Sequence, residues 1–221
     1  MTTSRKTHWI LASASPRRRE ILAGLGLEFA ADPSSLPEPA IRPGESPGAY
    51  AVRAARLKAR DVAARHRSGL VIGADTIVVC GNTILGKPAT RQAAARMLRT
   101  LSGRWHRVVT GLSIYDLRSG RFSSGYSESR VHLRRMSPAE IGWYLDTGEY
   151  ADKAGAYGIQ GYAALFIDRV EGCYLNIVGF PVATFESLCR RLGHSLITQL
   201  PASRPAARSA SRDARRATTP I

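Results

Sequence analysis

Short apolar runs bounded by polar turns alternate along this chain with stretches of helical periodicity, and together they predict an ordered series of strands and helices. A strand over 8–12 leads through a polar turn at 13–16 into a helix from Arg17 to about Gly24, where Gly24 and Gly26 end it. Residues 32–47 hold five prolines and no periodicity, which reads as an irregular loop. The Ala- and Arg-rich stretch 47–66 reads as a helix whose arginines form mostly a solvated face. Residues 70–80 read as a buried strand, and Gly81-Asn82 as the two-residue turn of a hairpin. A helix follows over 91–101, then paired strands over 106–117 and 125–133 around a turn at 118–122. Ser137-Pro138-Ala139-Glu140 is a capping box with proline at the first helical position, opening a helix that runs to about Thr147. Two further strands over 163–170 and 174–178 and a final helix over 182–192 complete the body, with no internal repeat. Strands and helices interleaved with hairpins argue for an α/β domain built on a mixed β-sheet flanked by helices, which binds ligands at strand ends.

Composition narrows the class. At 221 residues, 44% apolar and 22% charged, the chain suits one globular domain or two small lobes. Cys80, Cys173 and Cys189 lie far apart in an odd number, which argues against a disulfide framework or zinc site and fits a reducing cytoplasm. The apolar core of the N-terminus, 8–11, is far shorter than the roughly 7 to 15 residues a secretory signal needs. No segment approaches the roughly 20 apolar residues of a membrane span. The expected division is an N-terminal extension over 1–7, one domain over 8–195, and a basic, disordered tail over 196–221. In that tail five arginines face one aspartate, a net +4 out of the total of +15. A pI near 10.7 favours polyanionic partners as a class, whether nucleic acid, acidic surfaces or triphosphates.

Three segments carry chemistry. In SASPRRR at 13–19, Ser13 and Ser15 sit in a strand-to-helix turn whose free N–H groups and helix dipole favour an anion, and Arg17 and Arg18 add donors suited to phosphate. Cations at a helix N-terminus are otherwise unfavourable, which sets this reading above a plain N-cap with surface arginines. In GADTIVV at 73–79, Asp75 interrupts an apolar strand. It either coordinates a metal and activates water, or pairs with a buried lysine or caps a turn. In GEYADKAGAYGIQG at 148–161, small residues allow close backbone approach to a ligand. Lys153 there offers a charge, and Gln160 an amide able to read a pyrimidine edge or simply to face water. GNTILGKP at 81–88 begins like a P-loop, but Pro88 stands where Ser or Thr must hold magnesium, so Lys87 is left as an individual phosphate ligand or a surface lysine. Glu38 in the proline-rich loop is a candidate second carboxylate. His66, His106, His132 and His194 show neither metal-ligand nor triad spacing.

With LASASPRRREIL at 11–22, Lys58, GADTIVV, GKP at 86–88, LSGRWHRVVTG at 101–111, and GEYADKAGAYGIQG followed by NIVGFP at 176–181, the chain resembles the Maf-like nucleoside triphosphate pyrophosphatases. The AYGIQG run points to their dTTP/UTP branch. The resemblance covers about 9–192. It implies two lobes around a nucleotide-binding cleft, as in inosine-triphosphatase-like folds. It also implies a homodimeric, divalent-metal-dependent (Mg or Mn) hydrolase that releases pyrophosphate from dTTP or UTP. It assigns Asp75 as proton acceptor, and Arg17, Thr76 and Gln160 as specificity positions. Ser13, Arg18, Glu38, Lys58 and Lys87 then line the nucleotide cleft, with Asp75 and Glu38 toward the metal. Phe180 replaces a more usual Leu, a packing change. Two other classes compete. A nucleic-acid-binding module would explain the charge, although no aromatic RNA-binding motif or recognition helix is visible. A septum-regulating protein acting by contact alone would not need Asp75.

Overall fold

The computed structural model describes residues 7–200; the N-terminal segment 1–6 and the basic segment 201–221 lie outside the described residues. Seven strands form one mixed sheet: β1 (Trp9–Leu11), β2 (Phe29–Ala31), β3 (Leu70–Cys80), β4 (Thr83–Leu85), β5 (Arg104–Asp116), β6 (Arg121–Leu133) and β7 (Ile167–Glu171). The order is β2-β1-β3-β5-β6-β7, with β4 hairpinned onto β3. β1 runs parallel to both β2 and β3, and the remaining pairs are antiparallel.

β3 is buried along almost its whole length because helices cover both of its faces, the arrangement its continuous apolar run requires. On one face lies α2 (Pro47–Ala63), which presents Ala51, Ala54, Ala55, Ala59 and Ala63, all buried. Small side chains here meet glycines on the strands. A Cβ on Gly73 would stand 2.0 Å from the Ala55 carbonyl oxygen, and one on Gly111 of β5 would stand 2.2 Å from the Ala51 carbonyl carbon. The helix backbone therefore rests almost directly on the sheet. On the opposite face, α1 (Pro16–Gly24) and α6 (Val182–Arg191) bring Leu22, Phe185 and Leu188 onto Trp9, Leu11, Ile72 and Leu112. A second large cluster forms at the other end of β3, where α3 (Arg91–Leu101) and α4 (Pro138–Asp146) pack Leu98, Leu101 and Tyr144 against Val78, Val131 and Leu133. These two clusters are the two lobes.

Most elements match the sequence reading. The strand at Leu70–Cys80 and the helix at Arg91–Leu101 occur over the expected residues. The Ser137 hydroxyl accepts from Glu140 N while the Glu140 carboxylate accepts from Ser137 N, the expected reciprocal box. Four features differ. The turn expected over 118–122 is shorter, because Arg121 and Phe122 already pair with Asp116 and Tyr115. β2 is a short parallel edge strand absent from the pattern. The expected strand over 163–170 begins as a 3-10 turn, Tyr162–Phe166, before becoming β7. The expected strand over 174–178 is instead a helix, α5 (Tyr174–Val178). A five-residue apolar run does not declare its own period. What decides it is Gly179, whose left-handed conformation (φ 115°) closes the last turn by donating to the Leu175 and Asn176 carbonyls. Residues 196–200, expected within the disordered tail, instead pack onto the body: Leu196 is buried in the α6 cluster, and the Trp9 indole donates to Gln199 Oε1 at 2.9 Å.

The glycine seam generates a contrast. Gly111→Ala forces a methyl into α2 backbone and is expected to cost about 3 kcal/mol. Gly142→Ala in α4 meets nothing within 4 Å and should gain up to about 0.8 kcal/mol through helix propensity. Urea denaturation of both variants checks the pair.

Candidate active site

The cavity exists because β3 is longer than its neighbours on one side. β1 pairs with it only as far as Ile72, and β4 joins it only from Val78. Between them the β3 edge has no strand partner. A cavity of about 490 Å³ opens at this gap, at the carboxyl end of β1, where open α/β sheets place ligands. Arg18 fills part of the vacated ladder, donating from Nη1 to the Ala74 carbonyl at 3.0 Å.

Alternation along β3 sends successive side chains to opposite faces. Asp75, opposite Gly111, faces α2 and accepts from Lys58 Nζ at 2.5 Å. At 5% exposure this carboxylate is buried with a cation, so the lysine partner left open by the sequence is real. The pairing gives the buried carboxylate a cationic partner inside the cavity wall. Thr76 faces the other way, where a directed chain of hydrogen bonds begins. Arg18 Nη2 donates to Thr76 Oγ1 at 3.0 Å, Thr76 and Thr110 share a bond of 2.9 Å, and Thr110 donates to the Asn176 carbonyl at 2.9 Å. Asn176, fully buried, donates to the Val108 carbonyl and to Ser129 Oγ. Arg18 also donates to Ser13 Oγ and the Gly179 carbonyl, so four of the roughly five N–H donors of a guanidinium go to protein oxygens. Burial lowers its pKa to about 10, with Asp75 opposing the shift, so Arg18 stays a fixed cation at neutral pH.

The segment 148–161 forms the facing wall. Three of its glycines serve protein contacts: a Cβ on Gly155 would crowd Val78 at 3.0 Å, one on Gly158 the Lys153 stem at 2.7 Å, and one on Gly161 the Glu149 carboxylate at 2.4 Å. These glycines stand close to the protein's own side chains, while Ala154 and Gly158 also line the cavity. Ala156, next to Gly155, holds φ at 63°, a left-handed strain for a residue with a Cβ. Lys153 donates to the Glu149 carbonyl at 2.5 Å and pairs with Asp152 at 2.8 Å, and Asp152 pairs in turn with Arg17 at 3.1 Å.

The third wall is the proline-rich loop, held on both sides of Glu38. Before it, Asp32 takes Arg65 and His66, and Ser34 donates to Asp61. After it, Arg53 grips Glu45 with two bonds of 2.6 Å, and that guanidinium holds the Glu45 carboxyl down to about 2. Between these anchors Glu38 forms no hydrogen bond or ion pair among the described residues. Burial first, then the charges of Asp75 and Glu38, push the pKa of the Tyr50 phenol up.

A protein-family model described as "Maf-like protein" matches residues 8–192. The chain belongs to the Maf-like family. Among curated relatives, a Moorella thermoacetica protein named "dTTP/UTP pyrophosphatase" is 48% identical over 185 residues, covering 83% of this chain and 94% of that one. Proteins of the same name from Geobacter sulfurreducens (46%; 83% and 96% covered) and Syntrophomonas wolfei (43%; 85% and 98% covered) align as fully. A solved structure, "The structure of the Staphylococcus aureus Ham1 protein", overlaps 57% of this chain and 71% of its own at 15% identity and a TM-score of 0.40, too distant to add to the family match.

The Maf-like fold gathers every candidate named from the sequence around one cavity. Ser13, Arg17 and Arg18 come from the β1–α1 turn, Glu38 from the loop, and Lys58 from α2. Asp75 and Thr76 come from β3, Lys87 from after β4, and Lys153 and Gln160 from the facing segment. Lys87 and the Gln160 amide form no side-chain hydrogen bond among the described residues. Ser15 gives α1 no side-chain cap. Three participants were not singled out from sequence. Asp152 is an exposed acid beside a lysine. Thr110 and Asn176 are isolated polar residues in apolar runs, the same signal that exposed Asp75. Among the described residues no group of three or more His, Cys, Asp and Glu could hold a metal unaided.

Behind the cavity wall, His106 Nε2 lies 2.6 Å from the Tyr157 hydroxyl, and burial lowers the His106 pKa to about 4. A histidine held neutral in the fold stabilises it fully above its unfolded pKa of about 6.5, and loses that contribution as pH falls toward 4. Between pH 7 and pH 5 the wild type should therefore lose about 2 kcal/mol more than His106→Gln, read from urea unfolding at the two pH values.

Proposed function

We propose that the cavity hydrolyses the pyrimidine nucleoside triphosphates dTTP and UTP to the monophosphate and pyrophosphate. The observation that carries this reading is the buried Asp75–Lys58 pair set among Arg17, Arg18, Lys87 and Lys153 at the gap in the sheet. The kinship with proteins named dTTP/UTP pyrophosphatase supports it. A triphosphate supplies the negative charge these side chains are arranged to receive, and charge stabilisation with positioning accounts for most catalysis of this kind.

In the reaction, Asp75 accepts a proton from a water whose oxygen attacks the α-phosphorus. The new O–P bond forms as the α–β anhydride bond breaks, and the electron pair leaves on pyrophosphate. Lys58 pairs with Asp75 and keeps it aimed. Arg17, Lys87 and Lys153 neutralise phosphate oxygens, while Arg18, already committed to protein oxygens, braces the cavity and contributes field. The apolar floor of Val78, Val108, Tyr157 and Ile177 suits a base and sugar, and Gln160 with its free amide reads the base edge. The oxygen donors of Asp75 and Glu38 suit a hard divalent cation, Mg or Mn, which they would hold together with the substrate and which would supply neutralisation of phosphate charge when bound.

The reading carries a homodimer and a cytoplasmic location with it. For the membrane, the structure offers only that no helix among the described residues is long and apolar enough to cross one.

Incubation with dTTP, UTP, CTP and 7-methyl-GTP, each with magnesium or manganese, should yield pyrophosphate from the first two. Asp75→Asn should reduce turnover about a thousandfold while the protein still folds, with a lower melting temperature because Lys58 loses its buried partner; near wild-type rates would remove Asp75 as the base. Orthophosphate in place of pyrophosphate would mean a different bond is cut. Gln160→Ala should flatten the preference for dTTP over CTP, and an unchanged preference would refute its role.

A further inference from the structure

Arg17 stands in an unfavourable place. It lies in the first turn of α1, at the positive end of the helix dipole and next to Arg18 in sequence. Among the described residues its one polar side-chain partner is Asp152, on the far wall of the cavity, which accepts from Nη1 at 3.1 Å. Asp152 divides its two oxygens, Oδ2 to Arg17 and Oδ1 to Lys153. The lysine has a second anchor in the Glu149 carbonyl; Arg17 has none among the described residues. The Asp152 side chain is 56% exposed, whereas Arg17 is 26% and Lys153 13% exposed, so the acid stands outermost and braces two cations that turn inward.

We infer that Asp152 is a positioning residue for the triphosphate: it holds one edge of the Arg17 guanidinium and leaves the rest of the fork facing the cavity. The inference rests on the triphosphate reading of the site. It also ties α1 to the segment that carries Gln160, so the phosphate end and the base end of the cavity are set relative to each other by one ion pair.

Removing Asp152 has two opposed consequences, and their signs separate positioning from bulk charge. Loss of a carboxylate makes the cavity more positive and, by charge alone, tightens a polyanion. Loss of the brace frees Arg17 and weakens it. Asp152→Asn should raise KM for dTTP about fivefold with kcat within about twofold, the pattern of a lost uniform binding contact. In an Arg17→Ala background the same substitution should change KM by less than about twofold, because the pair acts as a unit.

The same comparison is made without turnover, by calorimetric binding of inorganic tripolyphosphate to wild type, Asp152→Asn, Arg17→Ala and the double variant. Weaker binding in Asp152→Asn that vanishes in the Arg17→Ala background supports the brace. Unchanged or tighter binding, a fall in kcat at constant KM, or a full effect persisting without Arg17 overturns it. If wild type binds tripolyphosphate but hydrolyses no pyrimidine triphosphate, the proposed activity fails while the binding comparison still decides the role of Asp152.

Discussion

The gap beside β3 is the constraint from which the rest follows. An eleven-residue strand flanked on one side by a three-residue strand and a three-residue hairpin arm leaves backbone without a ladder between Ile72 and Val78. Buried main-chain oxygens require partners, and a guanidinium supplies one where a strand does not. The same vacancy that must be satisfied by a cation is the space into which an anion can come. The charge of the site is in this sense a by-product of mismatched strand lengths, recruited for chemistry.

Two further layers make that space rigid. Beneath it, the alanine face of α2 on Gly73 and Gly111 brings the helix close enough for Lys58 to reach across to Asp75 without spanning a thick apolar layer. Behind it, the Arg18–Thr76–Thr110–Asn176 chain crosses from the cavity through β3 and β5 to α5. Hydrogen-bonded chains in a low-dielectric interior reinforce one another. The position of Arg18 is thus tied to a buried amide three residues before Gly179, which itself accepts from Arg18. The ring of contacts is closed.

How much of this was legible in the sequence depended on whether a residue contradicted its surroundings. Asp75 did, as a charge in an apolar strand, and so did five prolines in one loop or a Ser-Pro-Ala-Glu start to a helix. Runs too short to show a period did not: the five residues of α5 read as strand until Gly179 is seen to close a helical turn. The glycines of 148–161 announced close approach but not its object, since Val78, the Lys153 stem and Glu149 are brought there by tertiary structure. Asp152 was silent for a different reason. An acid beside a lysine on a surface is ordinary, and only the fold sets Arg17 opposite it.

Asp75 and Thr76 are neighbours in the chain and stand on opposite faces of one strand, one with Lys58 and the other with Arg18. A slip of β3 by a single residue would exchange them, delivering a hydroxyl to the lysine and a carboxylate to the arginine. The bare glycines at 73 and 111 are what forbid it, because only in the native alignment do the two positions lacking side chains fall under α2. The seam is therefore a steric key to register: a slipped β3 would set the Cβ of Ile72 or Ala74 against the α2 backbone, where Gly73 leaves room.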